Sequence, residues 1–460
     1  MEAAPVDEPP RRRARAAADE EGEEADRLSD LPDCLLHEIL ARIGSRQAVR
    51  TSALSRRWRH VWRAVPRVDL DQRDFVLRGE AESYAASCDR LEDFADTMLS
   101  PHGTAASPLD AFRLHLLDAG RNIVFGRWIR RALLLRPASV DVRIDHGGAS
   151  DYPPFFSLGT GASVGIGTAR LTRLHLFGVQ IGFLTGDGKR IAQLLPVLEE
   201  LHLESCKFAY GGPSTVAFPN LRSLAVVPRC TTATYKMTVT SPRVESLRIF
   251  VPFSRAYGAP VHLAPSEGNG VLESLVSASI SIYDIDQEIF EPDRRLNKHK
   301  LDFLRSTRSM LDRMPNVRDL QLSGFTTIAL LDKASQEFPM LHKLRTLLLS
   351  DCDVGVGCHV LKSIFRNAPK LESLRLHRCK FIGTPKRKRG GSSKSNKKSS
   401  STSTCPDSPP SLFKNLQSVE IKWRREDRGG PDLMEFKKEI SSEVQWHCAK
   451  SVSEGTTGKN

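Results

Sequence analysis

No stretch of the 460-residue chain reaches the roughly 18 apolar residues of a membrane-spanning helix. Its opening residues carry Arg11, Arg12, Arg13 and Arg15, followed by Ala and Asp/Glu rather than an apolar signal core, so the chain is expected to be intracellular. There is no Asn-x-Ser/Thr acceptor. The nine cysteines are an odd number without a C-x-x-C pair, which removes support for a secreted disulfide framework. H-E-x-x-H and the protein-kinase motif set are missing as well. What remains is length for about two to three domains, with 40% hydrophobic residues and a mean hydropathy of −0.32. A domain of about 300 residues buries roughly 75% of its unfolded surface, so a sizeable core is affordable, and both full disorder and a single small fold are excluded.

Two short motifs resemble catalytic ones and are better read as loops. Gly161-Ala162-Ser163-Val164-Gly165 fits G-x-S-x-G, but a nucleophile elbow needs a core strand before it and a helix after it, and both flanks here are rich in Gly and Thr. Gly186-Asp187-Gly188-Lys189-Arg190 is similar to a phosphate loop, yet Phe183 stands where the first Gly belongs and Arg190 where Ser/Thr would meet magnesium. No catalytic residue, metal ligand or cofactor is expected.

The net charge of +12 is unevenly placed. Residues 384–411 hold seven Lys/Arg against the single Asp407, a net +6, in a Lys/Ser-rich stretch expected to be a disordered loop. Residues 1–27 hold five Arg against nine Asp/Glu, a net −4, and read as a disordered leader. Within the basic stretch, Lys386, Arg387, Lys388 and Arg389 suit a nuclear import signal, a nucleic-acid contact, or no more than a solvated run. The run has no aromatic residue for base stacking, which counts against nucleic acid.

A helical module occupies Leu28 to Pro66. Leu31-Pro32-Asp33 places Pro in a first turn and acid near the positive helix end. Leu35, Leu36, Ile39, Leu40 and Ile43 then make one apolar stripe, with Asp33, His37, Glu38 and Arg42 on the wet side. After Gly44-Ser45, residues Ala48, Val49, Ala53 and Leu54 suggest a second helix. Ser55 is the expected N-cap of a third, with Trp58, Val61, Trp62 and Val65 on one face. Three short helices bury little by themselves, so the module is either a cap docked on the rest of the chain or a docking module completed by another protein.

The order Leu-Pro-Asp-x-Leu-Leu-x-x-Ile-Leu, followed by Val49-Arg50-Thr51-Ser52-x-Leu54-Ser55-Arg56-Arg57-Trp58-Arg59-x-x-Trp62, resembles the F-box of plant F-box/leucine-rich-repeat proteins. The departure is Ile43-Gly44, where that family more often has Leu-Pro; Gly44 is expected to loosen the first connection. The resemblance implies that this segment binds the Skp-type adaptor of a cullin-RING ubiquitin ligase. It marks Leu31, Pro32, Leu35, Leu36, Ile39, Leu40, Val49, Leu54 and Trp58 as contact or supporting positions.

Behind this module one pattern recurs: apolar, two residues, apolar, one residue, apolar. Copies begin at Leu171, Leu198, Leu221, Val244, Val317, Leu344, Leu371 and Leu416, with a degenerate one at Leu272 to Leu275. The second apolar positions, 174, 201, 224, 247, 275, 320, 347, 374 and 419, are 27, 23, 23, 28, 45, 27, 27 and 45 residues apart. Six of these eight gaps lie between 23 and 28, the period of a leucine-rich repeat. Pro196, Pro219, Pro242, Pro315, Pro339 and Pro369 precede the copies and would end a helix before each strand. The expected unit is therefore strand then helix, stacked into a solenoid with one parallel sheet.

Further features fit the repeat. Cys206, Cys352 and Cys379 each follow the last strand apolar by three, the Asn/Cys ladder position of the motif. Leu109-x-x-Phe112-x-Leu114 and Val140-x-Val142-x-Ile144 read as degenerate early copies, and residues 283–310 as a charged helical insertion. The region from Phe338 to Trp423 resembles the closing, FBD-like part of the same plant family, whose terminal helix would here be reduced to Leu433 to Val444.

The expected architecture is α/β: a three-helix F-box at 28–70, a leucine-rich-repeat solenoid at 105–383 with its parallel sheet on the concave face, and a C-terminal repeat with an FBD-like end at 412–450. Residues between and beside the strand apolars point to that face: Arg173, His175, Phe177, Glu200, His202, Glu204, Arg248, Phe250, Asp319, Gln321, Arg375, His377, Glu420 and Lys422. Their mixed sign suits a protein surface better than a phosphate-binding one. By resemblance the chain is a non-catalytic, substrate-recruiting subunit of an SCF-type E3 ligase, acting in the nucleus and/or cytoplasm, with an unknown target protein as second partner. The alternatives are a repeat scaffold outside any ligase and a basic nucleic-acid-binding protein.

Overall fold

The computed structural model describes residues 28, 30–77, 84–100, 108–117, 122–145, 154–158, 167–181, 193–208, 214–228, 237–253, 261–264, 272–284, 298–332, 334–355, 359–380, 415–423 and 444–450. The acidic leader, the basic stretch 384–411 with Lys386 to Arg389, both loop motifs at 161–165 and 186–190, and all of the expected terminal helix except Val444 lie outside these. The chain divides into two units, residues 1–113 and 114–460. Among the described residues no helix is long and apolar enough to cross a membrane.

In the first unit α1 (Asp33–Leu40), α2 (Ser45–Arg50) and α3 (Trp58–Val61) follow one another, with 3-10 turns at Thr51–Ala53 and Trp62–Ala64. Pro32 stands one place outside α1, at its N-cap, and its carbonyl accepts the Leu35 and Leu36 amides at 3.0 and 3.2 Å. Ser55, expected to cap the third helix, does not. Arg57 before Trp58 is already helical, so the extended cap geometry is missing, and Ser55 Oγ is buried without a hydrogen bond. Gly44 does more than loosen a connection. Its φ of 78° and ψ of 155° at the start of α2 belong to a region essentially reserved for glycine, which the family's usual Pro could not adopt.

The inner side of these helices is closed within the same unit by β1 (Arg67–Asp71) and α4 (Tyr84–Met98), neither of which the sequence pattern announced. Leu36, Leu40, Trp58, Val61, Trp62 and Val65 are buried in a core with Val68, Leu70, Leu91 and Ala95. The strand β2 (Ala111–Leu116) spans the division between the units.

The second unit contains α5 (Asn122–Leu134), β3 (Ser139–Ile144), β4 (Phe155–Phe156), β5 (Arg173–Phe177), β6 (Gln180–Ile181) and β7 (Glu200–Phe208). Then come β8 (Ser214–Ala217), β9 (Ser223–Pro228), β10 (Met237–Thr240), β11 (Ser246–Phe253), β12 (Val261–Ala264) and β13 (Ser277–Asp284). The insertion is α6 (Lys298–Asp312), followed by β14 (Asp319–Ser323), α7 (Thr327–Leu330), β15 (Thr346–Ser350), α8 (His359–Asn367), β16 (Ser373–His377), β17 (Ser418–Trp423) and β18 (Gln445–Lys450).

The strands β3, β5, β7, β9, β11 and β13 to β18 lie side by side in that order, every neighbouring pair parallel. The register aligns the repeat. Leu174, Leu201, Leu224, Leu247, Ala278, Leu320, Leu347, Leu374, Val419 and Trp446 stand opposite one another along the sheet.

Three details differ from expectation. The degenerate copy is Leu275-x-x-Ala278-x-Ile280, three residues later than assigned, because a small Ala fills the marker position. A further strand, β18, places Trp446 where the pattern wants leucine. In the middle of the unit the repeat is not strand then helix: β8, β10 and β12 form a second parallel sheet there. Spacings of 23 residues leave little room for a helix, and Ser-Thr-Val-Ala and Met-Thr-Val-Thr favour extended backbone through their β-branched residues.

Five of the strands share one turn at or near their ends. Gly178, Ser205, Gly324, Asp351 and Arg378 all have positive φ, and each is followed by a buried residue, Val179, Cys206, Phe325, Cys352 or Cys379. The cysteine thiols donate to the carbonyls of Leu176, Leu322 and Leu349, one repeat earlier, at 3.3, 3.5 and 3.3 Å. The ladder reading of these cysteines holds, and burial pushes the Cys206 thiol up to about 12.

At Gly324 a Cβ would sit 2.3 Å from the Ile282 carbonyl oxygen, on backbone with φ of 73°. Gly324→Ala is expected to destabilise the second unit by at least about 2 kcal/mol. At Gly44 a Cβ meets nothing within 4 Å, so Gly44→Ala should carry only the conformational penalty of about 1–3 kcal/mol. Urea denaturation of the two variants measures both.

Candidate functional site

The apolar stripe of α1 is split by the fold into two halves. Leu36 and Leu40 are fully buried, whereas Leu35 and Ile39 are 43% and 39% exposed. Ile43, in the turn after α1, continues the outer half at 43%. Leu54 is 70% exposed and Leu28 52%. Of the expected adaptor positions, Leu35, Ile39, Leu54 and Pro32 are therefore open, Leu31 and Val49 are half-buried, and Leu36, Leu40 and Trp58 are core supports. Leu28 was not singled out from sequence; Ile43 was assigned to the stripe, and its i, i+4, i+8 relation to Leu35 and Ile39 is the signal that places it on the outer half.

The ridge is braced. Arg57 donates to Asp33 Oδ1 at 3.0 Å and to the Leu31 carbonyl, tying the segment before α3 to the start of α1. Trp62 Nε1 donates to the Arg59 carbonyl at 3.1 Å. Ser45 Oγ accepts the Asp69 amide at 2.7 Å. Aliphatic side chains left exposed on a braced helix lose little further conformational freedom when covered, which suits them to a protein interface.

In the second unit the alternate strand residues form three rows across the open sheet face. Arg173, Glu200, Ser223, Ser246, Ser277, Asp319 and Thr346 lie along one row. The next carries His175, His202, Ala225, Arg248, Ser279, Gln321, Leu348, Arg375 and Glu420. The third includes Phe177, Glu204, Phe250, His377 and Lys422. All fourteen residues expected on this face lie on it, and β9 and β13 among the middle strands are lined mainly with serine and alanine.

Apart from Asp319 on β14, the charged side chains gather at the two ends. At the β3–β7 end the His175 and His202 rings stack with centroids 4.3 Å apart and planes 9° from parallel. His175 Nε2 is 3.6 Å from Glu200, and His202 Nε2 is 3.1 Å from Ser223 Oγ. Arg143 lies over the Phe177 ring at 4.2 Å, and Arg248 pairs with Glu204 at 3.3 Å. Burial, and then the neighbouring His175, hold His202 below the usual histidine range.

At the β16–β17 end Glu420 meets Lys422 at 2.6 Å, His377 at 3.6 Å and Arg375 at 3.7 Å. The hydrogen bond from Lys422 holds the Glu420 carboxyl below its ordinary value. His377 is held low by burial first and Lys422 second. Among the described residues no group of three or more His, Cys, Asp and Glu could hold a metal ion.

A braced apolar helical ridge is thus followed by a parallel-sheet repeat with a mixed-charge face. The F-box domain family matches residues 28–69. The meiotic F-box protein MOF of Oryza sativa subsp. japonica is 44% identical over 437 residues, covering 94% of this chain and 87% of the rice protein. A putative F-box/LRR-repeat protein of Arabidopsis thaliana is 25% identical over 364 residues, 76% of each chain. An FBD-associated F-box protein of the same species is 49% identical over 67 residues, 15% of each. The chain belongs to the plant F-box/leucine-rich-repeat family.

Two measurements test the site geometry. Leu36→Ala should lower stability by about 2–5 kcal/mol, because it opens a cavity, and Leu35→Ala by no more than about 1 kcal/mol; urea midpoints distinguish them. His202 and His377 bind protons less readily folded than unfolded. Their contribution to stability is therefore present above about pH 6.5 and lost as pH falls below it. The melting temperature of the second unit should drop on acidification from pH 7 towards 5.5, and His202→Gln should flatten part of that slope.

Proposed function

We propose that the protein is the substrate-recruiting subunit of an SCF-type E3 ubiquitin ligase: the ridge binds the Skp-type adaptor and through it the cullin, and the open sheet face binds the protein to be modified. The observation that carries this reading is the outer half of the α1 stripe. Leu35, Ile39, Ile43 and Leu54 are held out to solvent on a unit whose inner side is already closed by its own residues. Each such side chain is already partly covered, so a partner would add about 0.5–2 kcal/mol of gross transfer energy.

On this reading the chain performs no bond chemistry. Its contribution to ubiquitin transfer is effective concentration, from holding the target beside the ubiquitin carrier. Nucleus and/or cytoplasm is the proposed place of action, with Lys386, Arg387, Lys388 and Arg389 as import signal. The name of the rice relative supports seeking targets in meiotic cells.

Co-expression of the full chain with a Skp-type adaptor and a cullin should yield a complex on affinity purification. Leu35→Ala with Ile39→Ala should reduce adaptor recovery at least about tenfold while lowering the urea midpoint far less than Leu36→Ala does, since neither residue is in the core. A wild-type chain that captures no adaptor at low salt overturns the proposal and leaves a repeat scaffold acting outside a ligase.

A further inference from the structure

The two charged ends of the open face are built differently. At the β3–β7 end Arg143, Arg173 and Arg248 stand among Asp141, Glu200 and Glu204, so cations and carboxylates balance. On the described open-face positions of β15 to β18 the only carboxylate is Glu420. It is shared by Lys422, Arg375 and His377, and His447 stands opposite it in register on β18.

Two permanent cations on one carboxylate leave an excess of one positive charge, with the His377 and His447 imidazoles beside them. His377 Nε2 is buried without a hydrogen bond. The nearby pair at the strand ends, Arg378 with Asp351 at 2.9 and 2.6 Å, is bidentate and satisfies itself, so it does not offset the excess. Beside Arg375 in register stands Leu348, half-buried and apolar.

We propose that the open face of β15 to β18 is an acid-binding site, which takes from the target a segment carrying Asp or Glu next to a large apolar residue. The inference rests on the open face being the target surface and specifies the chemistry of what it holds. Lys422 and Arg375 pair with the incoming carboxylate, and the apolar neighbour covers Leu348. Glu420 occupies the ground that the incoming carboxylate takes: it keeps the cations in place when the site is empty and competes when a partner arrives. Such complementarity acts mainly on specificity and on association rate, and weakens with salt.

The test uses the full chain in complex with its adaptor and a fluorescein-labelled peptide with a central Glu-Glu-Leu, read by fluorescence anisotropy at low salt and pH 7. The acidic peptide should bind at least about tenfold more tightly than its Gln-Gln-Leu counterpart, and Arg375→Gln or Lys422→Gln should remove most of that difference. Glu420→Gln should tighten binding several-fold, a gain that misfolding cannot produce. Equal binding of the two peptides, or Glu420→Gln leaving binding unchanged or weaker, overturns the proposal. So does tighter binding of a short oligodeoxythymidine lost with the same substitutions, which would make the partner a nucleic acid. Adaptor recovery from the same samples separates the two proposals: an intact complex indifferent to the acidic peptide sinks this one alone, and failed adaptor capture sinks the ligase reading.

Discussion

Leu174 and Leu176 are buried with Val140 and Val142 on one side of them in register and Leu201 and Leu203 on the other. The same arrangement runs through the interior strands of the main sheet from β5 to β17, so lateral burial of two apolar rows is the constraint from which the rest follows. A lone strand of this kind would expose its apolar residues and its backbone groups together. Stacked in register, the strands hide the apolar rows and join their backbones. The amides that open each strand bond to the repeat before: Glu199 and Glu200 to Thr172, Arg222 and Ser223 to Glu199, and so on to Gln417 and Ser418 on Glu372. Ion pairs such as Arg222 with Glu245 and Arg345 with Glu372 follow the same spacing, but their exposure makes them a minor contribution.

The open face is a consequence of that constraint. With two rows committed to the core, the alternate rows must face outward, and parallel register sets residues of one repeat beside the same positions of the next. That is how His175 comes to stack on His202 and how Glu420 comes to lie between Arg375 and Lys422. The His175–His202 and Arg375–Glu420 contacts join residues of different repeats, whereas Lys422 reaches Glu420 along its own strand. Five of the strand ends add a shared turn: a left-handed residue turns the chain down so that a Val, Phe or Cys can reach the core and, for cysteine, so that the thiol can reach the preceding carbonyl.

The first unit solves a different problem. Its three short helices have too little surface to hide one another, and β1 and α4 supply the missing inner cover through residues such as Val68, Leu70, Leu91 and Ala95. What the helices keep for the outside is a narrow line of aliphatic side chains. The stripe of α1 looks continuous in sequence because Leu35 and Leu36, and likewise Ile39 and Leu40, are adjacent; on the helix each pair is about 100° apart, so one member turns in and the other out.

Local pattern alone determined a good deal: the order of module and repeat, the period, the strands of every copy with Leu or Val at its markers, the ladder cysteines, and the set of residues on the open face. These are legible because side-chain direction along a strand alternates and a repeat makes one copy vouch for the next. The copy at Ala278, the last strand at Trp446, the sheet that replaces helices in the short repeats, and the cover supplied by α4 were decided only by tertiary structure. In each of these the neighbouring repeat or element supplies the burial, so a small, polar or aromatic residue can stand where the pattern asks for leucine, and the choice of which leucine faces out is settled by what packs behind it.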